Sequence, residues 1–189
     1  MGNTVLYMSM SLDGFIAGPN VADDNGLGDG GGILHEWVFP PHGEVNNQIV
    51  HEFMSTGAVV AGRGTFEPAN GWSGDHHDGV PIWVVSRRPA PEWTRAMAAV
   101  HYTDDVELAF REARSAAGGK DVLVHGASTA QRAIAAGVLD EMEIHLIPVL
   151  LGEGRRLFEN LGAEQRQLER LRVLPGEGGV THLRYRIRY

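Results

Sequence analysis

Unbroken apolar runs alternate along this chain with stretches whose apolar residues fall three and four apart. Short unbroken runs read as buried strands, and the spaced pattern reads as amphipathic helices. Thr4 to Ser11 (TVLYMSMS) predicts the first strand. Residues 44 to 56 put Val45, Ile49, Phe53 and Met54 at helical spacing, and Gly57 ends that helix. GAVVAG at 57–62 and PIWVVS at 81–86 predict strands, with Val100 to Tyr102 a shorter third. A helix starts at Thr103 or Asp104, with Glu107 as capping partner of Asp104. Its apolar face is Val106, Phe110 and Ala113, and Gly118-Gly119 stop it. Asp121 to His125 predicts a buried strand, and Gly126 to Thr129 turns directly into a helix that runs to about Ala136 before Gly137. Glu141 to Leu151 reads as a long strand in which Pro148 implies an edge or a bulge.

The last two runs, Gln167 to Leu174 and Val180 to Tyr189, form a hairpin around residues 175–179. In the second of them Leu183, Tyr185, Ile187 and Tyr189 share one face, and His182, Arg184, Arg186 and Arg188 share the other. Strands alternating with helices, followed by an antiparallel tail, predict an α/β fold. Its central sheet is mixed and mostly parallel, with helices on both faces and a C-terminal hairpin. Residues 1–189 show no repeat and no linker, so one domain is expected. Residues 12–43 hold many Gly, Asp, Asn and Pro, including GLGDGGG, and predict a long functional loop. Within it Trp37 and Phe39 are candidates for a lid or pocket wall.

Composition narrows the function classes. Sixteen Lys and Arg against 24 Asp and Glu give a net charge of −8. An acidic chain is repelled by phosphate backbones and anionic lipid, so neither nucleic acid nor membrane is expected as a partner. Cysteine is absent, which removes disulfides, thiol catalysis and thiolate metal sites. No apolar run approaches the length of a membrane span and no signal-peptide pattern opens the chain, so a cytoplasmic location is expected.

Donors suited to phosphate gather at three strand ends. These are Gly62-Arg63-Gly64-Thr65, Ser86-Arg87-Arg88 and Gly126-Ala127-Ser128-Thr129. In an open α/β sheet ligands bind beyond the carboxyl ends of the strands, so three parallel strands would turn these motifs toward one crevice. The last motif offers backbone N–H groups at a helix start, where the dipole favours a pyrophosphate. Ser86, Arg87 and Arg88 bring a hydroxyl and two guanidinium groups, enough for the 2′-phosphate that separates NADP from NAD. Each motif alone also reads more simply: a Gly-rich turn with a solvated Arg63, an exposed basic loop, and helix capping by Ser128. No G-x-G-x-x-G follows the first strand and no G-K-[ST] follows a Gly-rich loop, which disfavours a Rossmann dehydrogenase and excludes a P-loop.

Ser11-Leu12-Asp13-Gly14-Phe15-Ile16-Ala17-Gly18 and Gly62-Arg63-Gly64-Thr65-Phe66-Glu67 resemble the dihydrofolate-reductase-like family. The stretch from Gly126 to Glu141, and Pro148-Val149-Leu150-Leu151-Gly152-Glu153-Gly154 with Leu157-Phe158, is similar to its C-terminal half. That half is shared with the reductase domain of the bacterial riboflavin-pathway deaminase-reductase. The resemblance implies an NADPH-dependent reductase, commonly a homodimer, acting on a pteridine or ribosylaminopyrimidine type of small molecule. It places backbone near Ile16 and Ala17 at the nicotinamide, Gly62, Arg63 and Thr65 on cofactor phosphates, and Ser86 and Arg87 near the 2′-phosphate. It places Gly126, Ala127, Ser128 and Thr129 on the pyrophosphate. Two positions depart from the pattern. Asn46 stands where folate-reducing members carry an acid, and Val124-His125-Gly126 stands where riboflavin-pathway members often carry Glu-Gly-Gly.

Hydride addition leaves negative charge on the acceptor, so a proton donor is sought. Asp13 is the first candidate, unless its side chain simply organises the Asp13-Gly14 turn. Glu36 is the second, and with Trp37 it is expected at the substrate. His76-His77-Asp78 is the tightest histidine cluster, but adjacent side chains rarely aim at one ion, so no metal is expected. The other reading is a nucleotide-binding or regulatory module that keeps the scaffold without turnover.

Overall fold

Alternation along the first strand decides which layer each side chain joins. The computed structural model describes residues 2–22, 24–40 and 43–189. In β1 (Thr4–Ser11), Val5 and Tyr7 face one side of the sheet and Leu6 and Met8 the other. The neighbours do the same: Val59 and Leu123 join the first side, Val60, Val122 and Val124 the second. Both faces are covered, which is why these strands read as unbroken apolar runs.

Six strands run parallel in the order β5 (Val100–Thr103), β4 (Ile82–Val85), β3 (Ala58–Gly62), β6 (Val122–His125), β1 and β7 (Glu141–Ile147). The antiparallel strands β10 (Thr181–Arg188) and β9 (Gln167–Pro175) extend the sheet beyond β7. Helices α3 (Val106–Ala116) and α4 (Ala127–Ala135) cover one face through Phe110, Ala113, Ala130 and Ile134. Helix α1 (Glu44–Met54) and the single turn α2 (Arg63–Phe66) cover the other through Phe53 and Phe66. The mixed, mostly parallel sheet with a C-terminal hairpin is as expected.

Several local expectations change. The segment after β1 is not irregular throughout. Phe15–Ala17 forms β2, which pairs with β8 (Arg155–Arg156) in a separate small sheet, and Gly31–Val38 forms a 3-10 helix. That helix buries Leu34 and Trp37 against Ile49, Ile147 and Val180. Strand β7 stops at Ile147 and is paired on both sides, so Pro148 lies past the ladder and not on an edge. The cap of α3 is Asp105, one residue later than expected, accepting the Leu108 N–H at 2.9 Å. Met54 is 37% exposed, and α1 buries Asn46 instead. Glu177, from the hairpin turn, accepts the N–H groups of Val45 and Asn46 and so satisfies the helix start from a distance.

The face of the sheet over β7 and β10 is polar and buried. Glu141 and Glu143 lie at alternate positions of β7, 2% and 0% exposed. Arg184 binds Glu141 at 2.8 Å, and Arg172 of β9 binds Glu143 at 3.2 Å and Glu52 of α1 at 2.8 Å. A buried carboxylate is expensive unless paired, and Glu52 makes the same network the clamp that holds α1 to the sheet. Arg172→Ala should therefore lower unfolding free energy by about 3 kcal/mol, since it strands Glu143. Adding Glu143→Gln should recover part of that loss in urea denaturation, and no recovery would mean that Arg172 acts through packing alone.

Candidate active site

The carboxyl ends of β4, β3 and β6 are adjacent in the sheet, so the three phosphate-donor turns are neighbours. Two glycines set how closely they approach. Gly126, at the start of α4, has φ +96°, which disfavours any side chain, and a Cβ there would lie 2.5 Å from Thr65 Oγ1. A Cβ on Gly62 would lie 2.8 Å from Thr129 Oγ1. That hydroxyl is buried without a partner. Between the turns runs a groove of about 350 Å³, lined by Gly62, Thr65, Gly126, Ser128, Arg155 and Arg156 among others. It combines the unsatisfied N–H groups of a helix start with two guanidinium groups, with Glu159 the acidic residue on its wall.

Arg155 and Arg156 escaped the sequence reading, although Gly154-Arg155-Arg156-Leu157 carries them in plain view. The antiparallel pairing of β8 with β2 brings them in. Arg155 donates to Gly64 O at 3.2 Å. Arg156 donates to Asp13 O at 2.9 Å and lies 4.3 Å over the Phe15 ring. Arg63, expected on phosphate, does not line the groove. Its Nε pairs with Glu67 at 2.8 Å and it donates to Pro89 O at 2.9 Å, tying α2 to the loop after β4. Ser86 closes a turn with Arg88, donating to its carbonyl at 2.9 Å and accepting its N–H at 3.0 Å. Arg87 is exposed at that strand end.

A second space of about 540 Å³ opens from the groove, and Gly64, Thr65 and Arg155 line both. Its walls are mostly apolar, with Ile16 and Ala17 on one strand and Trp37 and Trp72 among the rings. Trp37 donates to Ser9 Oγ at 2.9 Å and packs 4.4 Å from the His145 ring. Glu36 is exposed and outside this wall, so it is not placed to meet a ligand there. Asp13 is also outside it. Its carboxylate accepts from Ser11 Oγ at 2.5 Å and from the N–H groups of Leu151 and Gly152 at 3.2 and 2.7 Å. These bonds, Ser11 first, lower its pKa, and they tie the carboxylate into the turn.

Among the described residues four histidines line the cavity: His35, His76, His125 and His145. His35 and His76 stood out in the sequence only as metal candidates, and His125 and His145 did not stand out, because the four come from different elements. One signal was legible: Glu141, Glu143 and His145 alternate along a strand paired on both sides, which marks a buried polar face. Burial pushes His76 down to about 3, with His125 and His77 adding to it, and pushes His125 down to about 4. Burial first, then His182, holds His145 well below the ordinary value. Burial also raises the Tyr7 hydroxyl to about 12.

The family model of the RibD C-terminal domain matches residues 4–181, and the chain belongs to that family. Solved structures share the fold. A protein provisionally ascribed to riboflavin biosynthesis, from Shewanella sp. PV-4, gives a TM-score of 0.73 at 22% identity, covering 100% of both chains. RibD of Acinetobacter baumannii gives 0.62 at 18% identity, with all of this chain spanning 58% of that one. Dihydrofolate reductase from Enterococcus faecalis, complexed with NADP(H) and RAB-propyl, gives 0.61 at 16% identity over 100% of this chain and 98% of that one. No curated protein matches the sequence.

The buried histidines set a pH dependence. Unfolded, each takes up a proton near pH 6.5, whereas folded His125 and His182 do so only near 4 and His76 near 3. Between those limits the unfolded chain binds more protons, so stability falls as pH falls, by up to about 1.4 kcal/mol per pH unit for each such histidine. Glu143, raised by burial, works the other way. The urea midpoint should drop between pH 7 and pH 5, and a level midpoint would contradict neutral buried rings.

Proposed function

We propose that the chain is an NADPH-dependent reductase of a small molecule. The observation that carries this reading is the continuity of the two spaces: a groove built for anions joins a largely apolar cavity at Gly64, Thr65 and Arg155. The groove fits a dinucleotide. The cradle between Gly62 and Gly126 would be filled by any Cβ, and the buried Thr129 hydroxyl has bonding capacity to spare. Thr65, Arg155, Arg156 and the α4 N–H groups at Ala127 and Ser128 hold the phosphates, and Ser86 and Arg87 lie toward the 2′-phosphate. Ile16 and Ala17 line the nicotinamide end.

When bound, the cofactor supplies a hydride to an electron-poor carbon of the substrate. The residues orient the two partners and keep bulk water from the cavity. The balancing proton comes from water, because among the described residues no carboxylate lines the cavity and its histidines are neutral. That same lack of an acid favours the second reading, a nucleotide-binding module without turnover. The homodimer reading is supported by edge strand β9, which leaves Leu168, Leu171 and Val173 exposed; the cytoplasmic reading rests on the sequence alone.

Fluorescence titration tests the assignment. NADPH should bind the purified protein. Arg155→Ala should weaken it by about tenfold or more, the scale of one charge-assisted bond. Gly126→Ala should abolish binding through strain and the clash with Thr65. Arg87→Ala should weaken NADPH more than NADH, and equal losses would remove it from the 2′-phosphate. Failure of NADPH to bind the wild type would end the reductase reading, and binding without oxidation by any pterin, pyrimidine or carbonyl compound would favour the module.

A further inference from the structure

Proton positions around the cavity follow from the atoms that can only accept. A backbone carbonyl has no proton to give. His125 Nδ1 lies 2.9 Å from Tyr7 O, so Nδ1 carries the proton. Glu177 O takes the amide of Asn46 at 3.2 Å, which turns Asn46 Oδ1 toward His182 Nε2 at 3.0 Å. His182 therefore donates from Nε2 and accepts at Nδ1, 2.9 Å from His145 Nδ1, and His145 too is protonated at Nδ1. His77 Nε2 donates to Thr56 O at 3.1 Å, leaving its Nδ1 to accept from His76 Nδ1 at 2.7 Å.

Three independent chains thus end alike. His76, His125 and His145 each keep Nδ1–H engaged and present Nε2 as a bare lone pair. No Nε2 of the three has a partner among the described residues. None is sealed either, because among the described residues the buried side-chain N and O atoms without a hydrogen-bond partner are His35 Nδ1, Thr129 Oγ1 and Glu143 Oε2. All three rings line the cavity, so the lone pairs open into it. They do not converge: among the described residues no three His, Cys, Asp or Glu are grouped to hold one metal ion. Among the described residues no carboxylate lines the cavity, and the one permanent cation, Arg155, stands at the junction with the groove.

We infer that the cavity selects an uncharged, flat aromatic or heteroaromatic molecule with N–H or O–H donors at two or more edges, received by Nε2 of His76, His125 and His145. This rests on the reading of the cavity as the substrate half of the cleft. Trp37, Trp72 and Tyr7 supply flat apolar surface for the ring. A carboxylate or phosphate presents only lone pairs to lone pairs and is rejected, while a donor-free ring leaves the histidines unmatched.

Calorimetric titration of the full chain with three matched probes tests this: naphthalenediol, its dimethyl ether and hydroxynaphthoate. The diol should bind, and the ether and the naphthoate should each bind at least tenfold more weakly. His125→Phe and His76→Phe should each weaken the diol several-fold and leave the ether unchanged. The wild-type series stands by itself if a variant fails to fold. Equal binding of diol and ether, preference for the naphthoate, or no binding of the diol at millimolar concentration would overturn the inference. NADPH titration of the same samples keeps the two readings apart: loss of NADPH binding with probe selectivity intact fells the cofactor assignment alone.

Discussion

Burial of polar side chains behind the cavity is the constraint on which the rest depends. Glu141, Glu143, His145 and His182 all lie within the sheet over β7 and β10 and are almost wholly inaccessible. Each such group must find a partner inside the protein or cost several times what a hydrogen bond returns. The solutions fix the architecture. Arg172 and Arg184 answer the carboxylates, and Arg172 reaches on to Glu52. Asn46 answers His182, and His182 answers His145. Because Asn46 and Glu52 both belong to α1, the helix is held at two points, and the wall of the cavity behind Trp37 is held with it.

The same polar economy divides the cleft. At the groove the protein gathers donors in excess of acceptors: the α4 start, Arg155 and Arg156, each arginine keeping N–H groups beyond its one backbone bond. In a chain of net charge −8 that local excess is what an anionic ligand needs. In the cavity the protein does the reverse, burying acceptors that hold no charge. A low-dielectric space strengthens every hydrogen bond made there and penalises every unmatched one, so the two halves discriminate by opposite means. The junction at Gly64 and Thr65 is where a ligand of one kind would meet a ligand of the other.

Much of this was legible in the sequence. The strands covered on both faces announce themselves as apolar runs, and Gly126 followed by Ala127-Ser128-Thr129 marks both a strand end and a helix start. Long-range pairing was not legible. Arg155 and Arg156 reach the groove only because two residues of β8 pair with β2, a register no local pattern encodes. Trp37 reads as a loop residue until a 3-10 turn buries it. Glu177 caps α1 from across the chain, and no spacing within the helix reveals that. Asp13, by contrast, had two readings from the start, and three hydrogen bonds to its carboxylate select the turn-organising one.

Asn46 shows how the site differs from the folate-reducing pattern that the sequence resembles. At that position an acid on the helix would face the ligand directly. Here the side chain does not reach the cavity. Its amide is taken by Glu177 O and its oxygen by His182. An asparagine can serve both because it carries a donor and an acceptor on one rigid group, whereas an ionised acid would face the Glu177 carbonyl with a second acceptor. It would also favour a charged His182 in a buried setting. The helix position here fixes the proton on His145 through His182. On the proposed reading, recognition lies at the ends of β6 and β7, where His125 and His145 stand.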